Sequence, residues 1–152
     1  MTNDINCFRT IEEGIQCSAE SQKPIFLIFT NWAIGKSSME ENVLPKKRIK
    51  NKLQNEFVVV TLFVDSREKL TPNEIGEYSH SKFLGRPMKT VGDFNVHYEM
   101  KHFEQLVQPY IAILSSIDTS VIAEFGYAPD IDEVDSILTK AIDIHQVQLN
   151  NL

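Results

Sequence analysis

The sequence predicts a single α/β domain over residues 1–152, built on a central mixed sheet of four or more strands flanked by helices. Three observations lead there. Two unbroken apolar runs, 25–29 and 57–64, have the composition of strands buried on both faces, and a helical stretch lies between them. Two further strand-like runs, 110–114 and 121–125, enclose a Ser116-Ile117-Asp118-Thr119 turn and read as a hairpin. A chain of 152 residues, 42% hydrophobic and 24% charged, is long enough to bury one substantial core.

Each element has its own signal. Thr10-Ile11-Glu12-Glu13 has the capping-box pattern, and Phe8, Ile11, Ile15 and Ala19 recur at helical spacing, so a first helix is predicted over 10–21, ended by Lys23-Pro24. Glu40 and Glu41 suit the first turn of a helix over 37–44, and Pro45 introduces a second helical stretch over 46–54. Two buried strands separated by a helix make a right-handed crossover with a parallel pair. Residues 66–107 are polar and irregular, with Pro72, Gly76, Gly85, Pro87 and Gly92, and are too long for an ordinary connection; they predict an insertion carrying short helices. After the hairpin, Pro129-Asp130 opens a last helix with Ile131, Val134, Leu138 and Ala141 on one face, and the tail over 146–152 is predicted to fray. There is no internal repeat.

Charge and motif content exclude several functions. A net charge of -6 disfavours binding by phosphate neutralisation, so no nucleic-acid partner is expected, and Lys46-Lys47-Arg48 reads as a solvated helix face. No run has the length of a membrane-spanning helix, so no membrane insertion by this chain is expected, although a larger parent protein is compatible with a membrane. Gly35-Lys36-Ser37 spells the end of a phosphate-binding loop, but the glycine required five positions earlier is Thr30, so Ser37 or Ser38 capping a helix is the simpler reading. His97 and His102 are five residues apart and do not share a helix face; with His80 they read as solvated loop histidines, and no metal or cofactor is predicted. Asp65 and Asp93 are expected to bond local backbone in turns. Cys7 and Cys17 are too few for a disulfide framework and wrongly spaced for a redox pair or a zinc site.

The order helix, strand, helix, strand, insertion, strand, strand, helix is that of the thioredoxin fold. The runs KPIFLIFTNW, MEENV, FVVVTLFVD, KTVGD, QPYIAIL and FGY resemble, in order and spacing, the C-terminal thioredoxin-like domain of bacterial thiol:disulfide interchange proteins of the DsbD type, in the variety found in Bacteroidetes. The resemblance covers about 8–142. It implies a periplasmic domain with a WCxxCK motif at the start of the first crossover helix, which passes electrons to disulfide partners. A periplasmic location applies if the chain is an excised domain; a natural start at Met1 implies the cytoplasm, since MTNDINCF lacks a secretory signal.

Aligning Trp32 with the family's tryptophan, and Met39 with the hydrophobic residue inside the helix, places Ala33 and Lys36 where the two cysteines belong. Some family members carry one extra residue before the first cysteine, but no cysteine follows Cys17 in any register. The buried aspartate of the family's preceding strand falls at Ile28. A buried carboxylate is costly unless its ionisation serves chemistry, so the joint loss implies release from redox catalysis. Pro109, in Gln108-Pro109-Tyr110, matches the family's cis-proline, which puts the insertion immediately before the cis-Pro strand. The expected function is binding of a protein or extended peptide across Trp32, Ala33, Ile34, Gly35, Lys36, Gln108 and Pro109, without thiol exchange. The alternative is thiol-disulfide exchange through Cys17, with or without Cys7; Cys17 falls off the apolar face of the first helix and is expected at the surface.

Overall fold

The computed structural model describes residues 7–8, 10–32, 39–71 and 80–152. In chain order the elements are β1 (Cys7–Phe8), α1 (Ile11–Ser21), β2 (Ile25–Thr30), a single π-helical turn (Met39–Val43), α2 (Lys47–Glu56), β3 (Val58–Phe63), β4 (His80–Ser81), β5 (Arg86–Pro87), α3 (Val91–Phe103), β6 (Tyr110–Leu114), β7 (Val121–Phe125) and α4 (Ile131–Asn150). One five-stranded mixed sheet has the order β1-β3-β2-β6-β7. β2 runs parallel to β3 and antiparallel to β6, and β6 pairs antiparallel with β7. The crossover pair and the hairpin therefore share β2–β6 as their seam.

The burial of β2 explains its unbroken apolar sequence. Successive side chains point to opposite faces, and both faces are covered. Phe26 and Ile28 join a core with Met39, Val43, Leu44, Ile49 and Leu53 of the π turn and α2 and with Val134, Leu138 and Ala141 of α4. Ile25, Leu27 and Phe29 join a second core with Ile11 of α1 and with Phe94, Tyr98 and Phe103 of α3. Gly14 lets α1 press onto the sheet, since a Cβ there would lie 2.2 Å from Val60 Cγ2.

Thr10 caps α1 as its sequence predicts: its Oγ1 accepts from the Glu13 backbone N–H at 3.3 Å and donates to the Glu13 carboxylate at 2.9 Å. Asp130 caps α4 by accepting from the Asp132 N–H at 2.8 Å. Lys46, Lys47 and Arg48 are all exposed, as expected of a solvated face; on it Arg48 reaches Asp132 at 2.5 Å, and Lys52 one turn on contacts Asp135 and Thr139, tying α2 to α4.

Four expectations need correction. Cys7–Phe8 forms a strand, β1, in register with Val59 and Val60 of β3; two residues are too short to show a period in sequence. The insertion carries, besides a two-stranded ribbon of β4 and β5, a helix of 13 residues, longer than the short helices expected. Its buried residues are Gly92, Asn95 and Glu99, so its inward face is polar by composition and gives no apolar stripe. The tail does not fray at 146: α4 continues to Asn150, because His145 is buried and bonded to Ser116 and Gln146 bonds Asn150 one turn on. Asp65 does not stay local, since it accepts from the Trp32 backbone N–H at 2.8 Å. Asp93 does bond local backbone, completing a capping box with Thr90 at the start of α3.

Candidate functional site

The antiparallel register of β2 and β6 pairs Phe29 with Tyr110, so the end of β2 and the start of β6 lie together at one end of the sheet, beside Phe63 at the end of β3. Two segments singled out in the sequence meet there. Trp32 follows β2 with 72% of its surface exposed, its indole edge-on to Phe63 at 5.3 Å between centroids. The 2.8 Å bond from its N–H to Asp65 fixes its backbone without using the ring. At the start of β6 the Gln108–Pro109 peptide bond is cis, and Pro109 is buried while Gln108 is half-buried. Ala33, Ile34, Gly35, Lys36, Ser37 and Ser38 lie outside the described residues, so neither the positions aligned with the family's cysteines nor the phosphate-loop letters enter the geometry.

Ile28 is fully buried and pairs with Thr61 and Ile111 across the sheet. Thr61 Oγ1 is buried without a hydrogen-bond partner. Acid is nevertheless present on this face: Glu40, 2% exposed, accepts from Thr30 Oγ1 at 2.7 Å. The sequence suggested only a helix first turn for Glu40, because nothing in its spacing shows that Thr30 would reach it.

The floor of the cis-proline segment comes from α3. Phe103 packs against Phe29 at 5.7 Å and Tyr110 at 5.8 Å, with Tyr98 against Phe29 at 6.5 Å. Next to Tyr98, Glu99 is fully buried and its Oε1 accepts from Gln108 Nε2 at 3.0 Å. Its Oε2 has no partner. Burial pushes the Glu99 carboxyl up to about 7, against the opposing effect of the Gln108 hydrogen bond. Tyr110 donates its hydroxyl to the Glu124 carboxylate, and burial, that contact and the charges of Glu124 and Glu99 hold the phenol well above its ordinary value. No local pattern points to Glu99, because its partner is nine residues away, beyond the end of the helix. Leu106 and Val107, 58% and 54% exposed, precede Gln108 and extend the apolar surface; nothing in the irregular stretch around them marks them out.

Both cysteines belong elsewhere. Cys7 is paired with Val59, near the first residues of β3 and so toward the opposite end from Phe63. Cys17 is half-buried rather than fully at the surface and packs against the α1 side of the core. It borders an open pocket of about 300 Å³ with Phe8, Lys23, Phe57 and Val58, at the entrances of β2 and β3. β2 has six residues, and at about 3.3 Å per residue its length, close to 20 Å, separates that thiol from Trp32. His97 and His102 share α3: His97 Nδ1 lies 2.7 Å from Ser81 Oγ and His102 stacks on Tyr98 at 4.2 Å. Burial lowers the pKa of both histidines, with the charge of Lys101 adding to it. Among the described residues no three metal-ligating side chains converge, and no helix is long and apolar enough to cross a membrane.

No family model and no curated protein sequence matches this chain. Solved structures do. A thioredoxin from Thermus thermophilus superposes with a TM-score of 0.65 over 93% of this chain and 90% of its own, at 14% identity. A DsbH oxidoreductase superposes with a TM-score of 0.61 over 89% of this chain and 85% of its own, at 16% identity. At these identities the likeness is one of fold, and it defines the chain as a thioredoxin-like α/β domain.

Proposed function

We propose that this domain binds extended polypeptide at the Trp32–Gln108–Pro109 end of its sheet and does so without thiol-disulfide exchange. The observation that carries the reading is a separation. The exposed indole and the cis-proline segment lie at one end of β2, and Cys17 borders a pocket at the other. A thioredoxin-like scaffold that catalysed exchange at its usual edge would need a sulfur there, and no cysteine follows Cys17 in the sequence.

Backbone groups beside a cis-proline suit pairing with an extended chain, while Trp32, Leu106 and Val107 supply apolar area for side chains of any such partner. The finer kinship, to the C-terminal domain of DsbD-type interchange proteins with both motif cysteines lost, rests on the sequence runs that share its order and on Ile28 in place of the acid. A bacterial, periplasmic origin belongs to the same reading.

The alternative, exchange through Cys17 with or without Cys7, draws on one observation: Cys17 is a free thiol at the wall of a pocket that also contains Lys23. Reduction of insulin by dithiothreitol separates the two. The binding reading predicts a precipitation rate equal to the uncatalysed control, unchanged in Cys17→Ser. Acceleration that disappears in Cys17→Ser would replace the binding reading with the thiol one.

A further inference from the structure

Glu99 is a fully buried acid that the binding reading does not require. Its helix begins beyond the insertion's ribbon and ends just before the cis-proline segment, and its side chain turns back to hold the residue that precedes the proline. We propose that Glu99 is the positioning residue of the Gln108–Pro109 segment and makes polypeptide capture there responsive to pH: protonated Glu99 holds Gln108, and ionised Glu99 releases it. The proposal rests on the binding reading for the identity of the ligand and deepens it by naming the regulation of the same surface.

The geometry makes the two protonation states unequal. Oε1 accepts from Gln108 Nε2, which leaves Oε2 to carry the proton of the neutral form. Loss of the proton spreads negative charge onto Oε2, which is buried and has no donor facing it. A buried carboxylate oxygen without a partner is strongly disfavoured, so the ionised side chain gains by swinging out toward water. That movement breaks its hold on Gln108 and disturbs the packing of Phe103 on Tyr98 and Tyr110.

The charged and titratable neighbours do not relieve this. From β6 the facing group is the Tyr110 hydroxyl, which already donates to Glu124 of β7, itself an acid. On its own helix Lys101 and His102 are exposed, and His97 bonds Ser81. The ionisation falls in the neutral range because burial has raised the carboxyl to about 7.

The test uses the full chain labelled with 13C and 15N, followed from pH 5.5 to 8.5 with no polypeptide present, in the native form and as Glu99→Gln. Gln at 99 keeps the acceptor for Gln108 and cannot ionise. The proposal expects the Glu99 carboxyl carbon and the Gln108 side-chain amide to shift together with one midpoint near 7, and the Gln108 shift to be lost in Glu99→Gln. A Gln108 amide that stays still while Glu99 titrates, or that titrates equally in Glu99→Gln, would overturn it. Binding of reduced, carboxymethylated α-lactalbumin at pH 6 and 8 is the second arm: native protein should weaken at pH 8, and Glu99→Gln should not. Equal affinity of the native protein at both pH values would refute the regulation. Because the first arm contains no polypeptide, its failure is distinct from failure of the binding reading, which would show as no binding by either form at any pH.

Discussion

His145, near the end of α4, is held in one tautomer by Ser116. The Ser116 backbone N–H points at its Nε2 at 3.4 Å, and Ser116 Oγ lies 2.7 Å from the same nitrogen. A nitrogen that accepts from a backbone N–H must be bare, so the ring is neutral with its proton on Nδ1. Burial lowers the pKa of His145 from its ordinary 6.5. Between 6.5 and the lowered folded value the unfolded chain binds the proton and the folded chain does not, so this contribution to stability is complete above 6.5 and is lost as pH falls. The loss of urea stability between pH 7.5 and 5.5 should therefore be smaller in His145→Gln than in the native protein; matching pH profiles would mean that the ring titrates freely. Glu99 has the opposite sign. Its folded pKa is raised from 4.5 to about 7, so stability present below 4.5 is lost as pH rises to about 7, and Glu99→Gln should be the more stable form at pH 8.

Among the elements, α3 is the one on which the site depends and the one the sequence concealed. Its start is fixed by Thr90, whose Oγ1 accepts from the Asp93 N–H at 3.0 Å, and by Asp93, which accepts from the Thr90 N–H at 3.2 Å and pairs with Arg86 at 2.7 Å. Thr90→Ala removes the cap and should cost about 1 kcal/mol in urea unfolding; no change would show that Asp93 and Arg86 suffice.

Gly92, two residues from that cap, is placed against backbone, with a Cβ there only 2.6 Å from the Ser66 carbonyl oxygen and 2.8 Å from that of Val64. Alanine in a helix ordinarily gains up to about 1 kcal/mol over glycine, while forcing extra volume into a packed contact costs about 1–3 kcal/mol. The clash is with main chain and has little freedom to relax, so Gly92→Ala should lower the urea midpoint. A rise would show that α3 can lift off residues 64–66.

The elements β2, β3, β6 and α4 are legible because burial writes unbroken apolar runs into the strands and an apolar stripe into the helix. α3 is not, since Asn95 bonds the Phe63 carbonyl at 3.0 Å and Glu99 bonds Gln108, two polar residues satisfied by tertiary partners that no local pattern reveals. Resemblance singles out Trp32 and Pro109 as candidate site residues. It does not single out Glu40, Glu99, Leu106 and Val107, because their roles depend on which segments the fold brings together.

At the scale of the whole molecule, two cores on either side of one sheet hold β2 and β6 in register. That register carries Trp32 and the cis-proline segment to the same edge and leaves the half-buried Cys17 at the opposite end. Cys17 thus lies away from the edge at which the binding reading acts. The most direct measurement is amide and indole shift mapping of 15N-labelled protein titrated with reduced, carboxymethylated α-lactalbumin, an unfolded polypeptide unable to exchange disulfides. Saturable shifts confined to the Trp32 indole, Leu106, Val107 and Gln108 are the predicted result. Shifts clustered instead around Cys17, Lys23 and Phe57, or no saturable shift at all, would contradict it.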